Sequence, residues 1–262
     1  MKFGVTGASS DIGINLLALL GDRGHKVIKF GRRENQFWEI GREFPKSDID
    51  VLFHLAHDRS INFLQNKEAV NLLVSSFGRK IVYISSTSGH SQSISNYGKS
   101  KYAAQQAIDM SGGVSIVSGM MFGVNQMSQN SIISKLERII SSYPIIPLPF
   151  AGKSKLYFSD IPTLSKALLY AAESDISGSF RAFSGNHLTL GELVRLIGEG
   201  NKNNPRILEV PDLGLSKILS IASRSSSFPG LFESLLSLVN EMPFEYIEGL
   251  KEIPDLQFHA YS

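Results

Sequence analysis

Apolar residues recur along this chain with two periods. Short apolar runs at Lys2–Thr6, Lys26–Phe30, Asp50–His57, Lys80–Ser86 and Val114–Ser118 have the length of buried strands. Between them the period lengthens to that of a helix. Ile12, Leu16, Leu17, Leu19 and Leu20 form one such pattern, which stops near Gly21 or Gly24. Asn62–Phe77 is a second, with Leu64, Val70, Leu73 and Val74 available for its inner face. Residues 34–50 are brief for a strand–helix–strand passage; Phe37–Ile40 is expected as a short third strand, followed by a loop through Pro45. Strands alternating with helices at this spacing predict an α/β fold, with a parallel sheet covered by helices on both faces.

The second half is less regular. Gly119–Gly123 is expected as a loop after the strand at Val114–Ser118, Asn125–Asn130 is polar, and Ile132–Ile140 is helical. Three prolines exclude a helix from Tyr143–Phe150, which is expected to be extended. Asp160-Ile161-Pro162 opens a helix to about Glu173, with proline in its first turn. Ser179–Ser184 reads as a strand, Thr189–Glu192 as a capping box opening a helix, and Arg206–Val210 as a short strand. Leu213–Ala222 and Leu231–Val239 are apolar and helical, split by Arg224–Gly230. They suit a helical hairpin, a dimer surface or a membrane face, the last being the weakest because few basic residues flank them.

Composition narrows the class. The chain has 262 residues, 42% hydrophobic and 19% charged, enough for a full core. A net charge of +2 argues for neither nucleic acid nor an acidic membrane surface. Without cysteine there are no disulfides, thiolate metal sites or cysteine nucleophiles. The N-terminus has no apolar signal core and no apolar run is long enough to span a bilayer, so stable membrane insertion is not expected and a cytoplasmic location is.

Candidate chemistry gathers at predicted strand ends. Thr6-Gly7-Ala8-Ser9-Ser10-Asp11-Ile12-Gly13 joins the first strand to the first helix, the context in which a glycine turn holds a pyrophosphate at a helix N-terminus. Ser10 or Asp11 stands where a middle glycine is usual. Serine can offer a hydroxyl to phosphate, and Asp11 is expected to face solvent or cap the helix. The second strand ends in Gly31-Arg32-Arg33. Arginine there matches a 2′-phosphate, favouring NADP, with NAD as the alternative cofactor; the bland reading is a solvated basic turn. Small Ala56 permits close backbone approach. His54 and His57 read as strand-end histidines near a cofactor or in satisfied hydrogen bonds, with no third ligand nearby, so no metal site is expected. Ser85-Ser86-Thr87-Ser88 closes the strand at Lys80–Ser86. Tyr97 and Lys101 follow, four apart and so on one helix face. A lysine cation beside a phenol lowers its pKa, making the pair a candidate proton donor and acceptor.

In this order the landmarks Thr6-Gly7 to Gly13, His54-Leu55-Ala56, Ser85-Ser86-Thr87 and Tyr97-Gly98-Lys99-Ser100-Lys101 resemble the extended short-chain dehydrogenase/reductase superfamily, in particular its nucleotide-sugar epimerase/dehydratase group. The resemblance implies a Rossmann-type doubly wound sheet with a small C-terminal substrate-binding domain. Residues 1–118 would be the dinucleotide-binding core, 119–153 and 185–262 mostly the substrate-binding part, and 154–184 would return to the core. It implies Tyr97 as catalytic acid/base and Lys101 as the residue that binds the nicotinamide ribose and lowers the tyrosine pKa. Thr87 would hydrogen-bond the reacting oxygen, with Ser85 and Ser86 as competitors. Cofactor contacts would come from Gly7, Ser9, Ser10, Asp11, Ile12, Gly13, Gly31, Arg32, Arg33, Leu55, Ala56, His57, Ser85, Tyr97 and Lys101. Thr87, Ser88, Met121 and Lys153 would meet the substrate, although Met121 reads equally as core and Lys153 as an exposed lysine. Val117-Ser118-Gly119 departs from the family's Arg-Pro-Gly. Ser88-Gly89 replaces the Asp-Glu that dehydratases of this group use, which disfavours dehydration. The expected function is NADP-dependent reduction of a keto group on a nucleotide-linked sugar. The alternatives are a nucleotide-sugar epimerase, a non-catalytic NADP-binding regulator, and an assembly partner using the apolar C-terminal helices. A homodimer is compatible with all of these.

Overall fold

The computed structural model describes residues 1–124, 131–149, 152–201, 203, 205–210 and 242–261. Its centre is a seven-stranded sheet. The N-terminal half supplies β1 (Lys2–Thr6), β2 (Lys26–Phe30), β3 (Val51–His54), β4 (Lys80–Ser86) and β5 (Val114–Ser118). Helices α1 (Asp11–Asp22), α2 (Phe63–Phe77) and α3 (Asn96–Met110) connect them, and all these strands pair in parallel.

Alternation along the strands explains the two covered faces. Phe3, Val5, Val51, Phe53, Val82 and Ile84 point into one core with Leu16 and Leu20 of α1. Leu52, Ile81 and Tyr83 point the other way, onto Val70 and Leu73 of α2 and Ala104 and Ile108 of α3. The first core is completed by α5 (Ile161–Glu173), which packs beside α1. These helices begin on side-chain caps: Ser10 caps α1, Asn62 opens α2 with a capping box, Ser95 caps α3 and Asp160 caps α5.

Phe37–Ile40 is not a strand. Only an isolated bridge joins Phe30 to Gln36, and residues 31–50 form an irregular segment that inserts Trp38, Phe44 and Ile49 into the second core. Phe44 lies 4.6 Å from Phe30, ring to ring, and its N–H donates to Ser76 Oγ at 2.9 Å. Buried aromatics here do the covering that a crossover helix would do.

Gly119–Gly123 is not all loop either. Met120–Phe122 forms β6, which pairs in parallel with β8 (Lys155–Asp160); β8 pairs antiparallel with β10 (His187–Thr189). A further pair is β7 (Ile145–Pro149) with β11 (Arg206–Val210), the extended course expected of the proline-rich segment. Amphipathic α4 (Ile132–Ser142) and α6 (Leu190–Gly200) cover these strands, burying Leu136, Ile140, Leu193 and Val194 against Leu148 and Phe158. Residues 154–184 are shared between the two parts: β8 belongs to the smaller sheet, while β9 (Gly178–Ala182) joins the large sheet beside β5. From the C-terminal region, α7 (Phe244–Glu248) precedes β12 (Lys251–Glu252), which extends the large sheet beyond β9. The expected helices at Leu213–Ala222 and Leu231–Val239, and the polar stretch Asn125–Asn130, lie outside the described residues. Among the described residues no helix is long and apolar enough to cross a membrane.

Candidate cofactor and catalytic site

Parallel strands bring their C-terminal ends to one edge, and a cleft of about 940 Å³ opens there. The turn after β1 forms one wall. Gly7 has φ +71°, and a Cβ on it would lie 2.8 Å from the Ala56 amide nitrogen. A Cβ on Gly13 would sit 2.4 Å from Gly7 O. The two glycines thus let α1, its turn and the end of β3 close on one another, and the helix N-terminus faces the cleft. That cradle, its volume and its donors fit the pyrophosphate of a dinucleotide.

Ser10 does not serve as the free hydroxyl its position suggested. Its Oγ donates to Gly7 O at 2.7 Å and accepts from Gly13 N at 3.1 Å, capping α1. Asp11 is consequently a first-turn residue and not the cap. Ser9 is the exposed hydroxyl of the turn. Ile12 and Ala8 add apolar lining.

At the far end Gly31, Arg32 and Arg33 line the cleft, both arginines exposed, with Glu34 and Glu39 beside them. Trp38, buried and held by its indole N–H donating to Arg42 O at 3.1 Å, supplies an aromatic wall. Leu55, Ala56 and His57 continue the lining from β3 to Asp58 and Arg59. His54 is buried behind them, its Nδ1 2.9 Å from Thr6 Oγ1; burial and then the nearby Lys101 charge lower its pKa to about 3. Burial, followed by Lys101, holds His57 far below the usual imidazole range, so both rings are neutral.

Tyr97 and Lys101 lie at the inner end. Ser95 caps α3 by accepting from Gly98 N, which starts the helix at the residue before the tyrosine. The Tyr97 ring meets His57 edge-on at 5.0 Å and carries the Arg59 guanidinium 5.1 Å from its centroid. Burial raises the Tyr97 pKa, while Arg59 and the Ser86 hydroxyl favour the phenolate. Lys101 is buried, with Nζ donating to Ile84 O at 2.8 Å and lying 4.8 Å from the Tyr83 ring centroid and 5.8 Å from that of Tyr97. Burial first, then Arg59, brings its pKa down to about 7. The lysine expected to lower the phenol's pKa is therefore turned to a carbonyl, and Arg59 is the cation that acts on Tyr97 in this structure.

Ser85 and Met121 line the same inner end, but Thr87, Ser88 and Lys153 do not border the cleft. Thr87 N donates to Ser118 O at 2.8 Å, which keeps Thr87 beside the end of β5, and Ser88 N donates to Ser86 Oγ at 3.2 Å, which turns the chain after it; Lys153 is exposed. Trp38 and Arg59 were missed in the sequence. Arg59 carries a signal, lying two residues beyond His57 at a strand end; Trp38 sits in the segment misread as a strand. Among the described residues no group of three or more His, Asp or Glu is placed to hold a metal.

The arrangement can cradle an anionic dinucleotide along the strand ends and exchange a proton between the Tyr97 phenol and an oxygen presented to it.

No protein-family model matches the chain, and no curated protein matches it. Solved structures do share its fold. The UDP-N-acetylglucosamine 4-epimerase of Bacillus cereus aligns with 91% of this chain and 99% of its own, at TM-score 0.59 and 21% identity. The Thermus thermophilus UDP-glucose 4-epimerase, solved with NAD, covers 95% of this chain and 99% of its own at TM-score 0.61 and 16% identity. RMD from Pseudomonas aeruginosa, complexed with NADPH, covers 80% and 87% at TM-score 0.57 and 18% identity. The chain thus has the Rossmann-type fold that these solved structures share.

Proposed function

We propose that this protein is a nicotinamide-dinucleotide-dependent enzyme that acts on a sugar nucleotide, and that its reaction is epimerisation at a carbon bearing a hydroxyl. The observation that carries the reading is one continuous cleft with the Gly7–Gly13 cradle on its wall and Tyr97 with Lys101 at its inner end. Epimerisation is preferred to net reduction because the UDP-sugar 4-epimerases above span nearly their whole length on this chain. The dinucleotide, when bound, supplies the hydride acceptor and donor. Tyr97 takes the proton of the sugar hydroxyl and returns it to the carbonyl oxygen. Arg59 and Ser86 stabilise the phenolate before the first transfer and after the second, and between them Tyr97 holds the proton as the phenol. The turn N–H groups at the start of α1 hold the pyrophosphate. Ser88-Gly89 lack the acid and base that water loss needs.

Arg32 and Arg33 favour a second reading. They border the cleft where an adenosine 2′-phosphate would lie, which suits NADP and net reduction of a keto-sugar.

The dinucleotide released on denaturing the purified protein, analysed for a 2′-phosphate, separates the two readings, together with turnover of UDP-sugars. Epimerisation proceeds without net NADPH consumption, whereas reduction consumes it in step with product. In either reaction Tyr97→Phe should lower turnover by about 100-fold or more with the dinucleotide still bound. Unchanged turnover would remove Tyr97 from the chemistry.

A further inference from the structure

Ser85, on the inner wall of the cleft, is one end of a buried polar chain. Its hydroxyl bonds to Gln105 Oε1 at 2.7 Å, and the Tyr246 hydroxyl on α7 reaches the same oxygen at 2.8 Å. Gln105 Nε2 donates to Ser179 Oγ on β9 at 2.7 Å, and Ser179 Oγ donates to Asp109 Oδ2. Lys101, Gln105 and Asp109 follow one another at four-residue spacing on α3. Ser85 is 1% exposed and Gln105 4%, so water does not compete for the bond between them.

The chain has a direction. Burial raises the Asp109 pKa and the Ser179 and Ser115 hydroxyls oppose it; in its ionised form the carboxylate only accepts, so Ser179 gives its proton to Asp109 and keeps its lone pairs for an N–H of Gln105. That orients the amide, with its oxygen toward Ser85 and Tyr246. An amide oxygen only accepts, so both hydroxyls donate to it. Ser85 has a single proton, and it is used. Toward the cleft it offers lone pairs alone, and Ser118 Oγ, donating to Ser85 O at 3.0 Å, holds the backbone behind it.

We propose that Asp109, Gln105 and Tyr246 are positioning residues that make Ser85 an obligate hydrogen-bond acceptor at the inner end of the cleft, so that the bound group facing it is an N–H or O–H donor. The nicotinamide carboxamide and a sugar hydroxyl both have that chemistry. The proposal rests on the dinucleotide reading of the cleft, and it ties the C-terminal helix α7 to the reacting end through a single amide. A bound group presenting only lone pairs would face those of Ser85 and be rejected.

The direction is testable by reversing it. Gln105→Glu leaves two carboxylates competing for the one Ser179 proton, and should lower the urea midpoint. Adding Asp109→Asn supplies an N–H to Ser179, which can then donate to the introduced carboxylate; the double variant should recover most of the loss. Packing alone predicts that the two near-isosteric changes add, so an additive loss overturns the assigned direction. Tyr246→Phe tests the link to the cleft. It removes one of the two donors that hold the Gln105 oxygen and should weaken NADP or NAD by about three- to tenfold. Binding of the adenosine halves, 2′,5′-ADP or AMP, should not change. Equal weakening of whole and half ligands overturns the placement at the inner end. If the unaltered protein binds no dinucleotide, the cofactor reading falls and takes the role of Ser85 with it, while the Gln105→Glu rescue still decides the direction of the chain.

Discussion

Lys101 is a cation held in a dry place, 4% exposed between two aromatic rings. Its folded pKa of about 7 lies below the ordinary 10.5 because burial penalises the charged form. Below pH 7 the ammonium is charged in both folded and unfolded chains, and its full desolvation cost counts against folding. As pH rises from about 7 toward 10.5 the unfolded chain holds the proton more tightly than the folded one, so stability increases. Between pH 7 and 9 the gain should be about 2 kcal/mol. Urea denaturation of the unaltered protein and of Lys101→Met at both pH values checks this: the variant should lack that increment. An equal pH response in both would mean the lysine is not held as the structure shows. The Tyr97–Lys101 pair was legible in the sequence because a four-residue spacing on a helix fixes a shared face. Its electrostatics were not, since Arg59 reaches Tyr97 from a different strand end and the direction of an ammonium within its face depends on which carbonyl lies nearby.

At the scale of elements, the glycine turn was readable and its serine was misjudged. Local sequence places Ser10 where a phosphate-binding glycine is usual, yet a serine before a helix is equally a cap, and the cap prevails. Ser10→Ala should therefore cost about 1 kcal/mol of stability and Ser10→Gly only a few tenths, because glycine is tolerated at an N-cap. Chemical denaturation of the two variants compares them directly, and a larger loss in the glycine variant would refute the capping role. Two other elements were misread for a common reason. Phe37–Ile40 has strand-like composition but finds no neighbour to pair with; Trp38 goes to the core instead, while Phe37 stays exposed. Met120–Phe122 has loop-like neighbours but finds β8. Whether a short apolar run becomes a strand depends on an available partner edge, and that is set far away in the chain.

At the scale of the molecule, Asp160 joins the parts. It ends β8 in the smaller sheet and caps α5, which packs in the main core, through Oδ1 accepting from Thr163 N at 2.9 Å. Its other oxygen, Oδ2, accepts from His259 N at 3.1 Å and so fastens the C-terminal segment. Asp160→Ala removes a cap and a second, partly buried hydrogen bond together and should cost about 2 kcal/mol, more than Ser10→Ala. The protection of the amides of Thr163 and His259 against hydrogen exchange should fall together, whereas a loss confined to Thr163 would show that the tail is held by other contacts. By itself the sequence determined the parallel sheet, the close-approach glycines Gly7 and Gly13 and the shared helix face of Tyr97 and Lys101. Each follows from a local period or from a backbone that only glycine permits. Only the tertiary structure decided that Arg59 is the charge on the phenol and that Thr87 and Lys153 stand away from the cleft. It alone also showed that Ser85 answers through Gln105 and Ser179 to a carboxylate one turn further along α3. Those contacts join residues whose separation in the chain carries no periodic signal, so they exist only once the strands have been laid side by side.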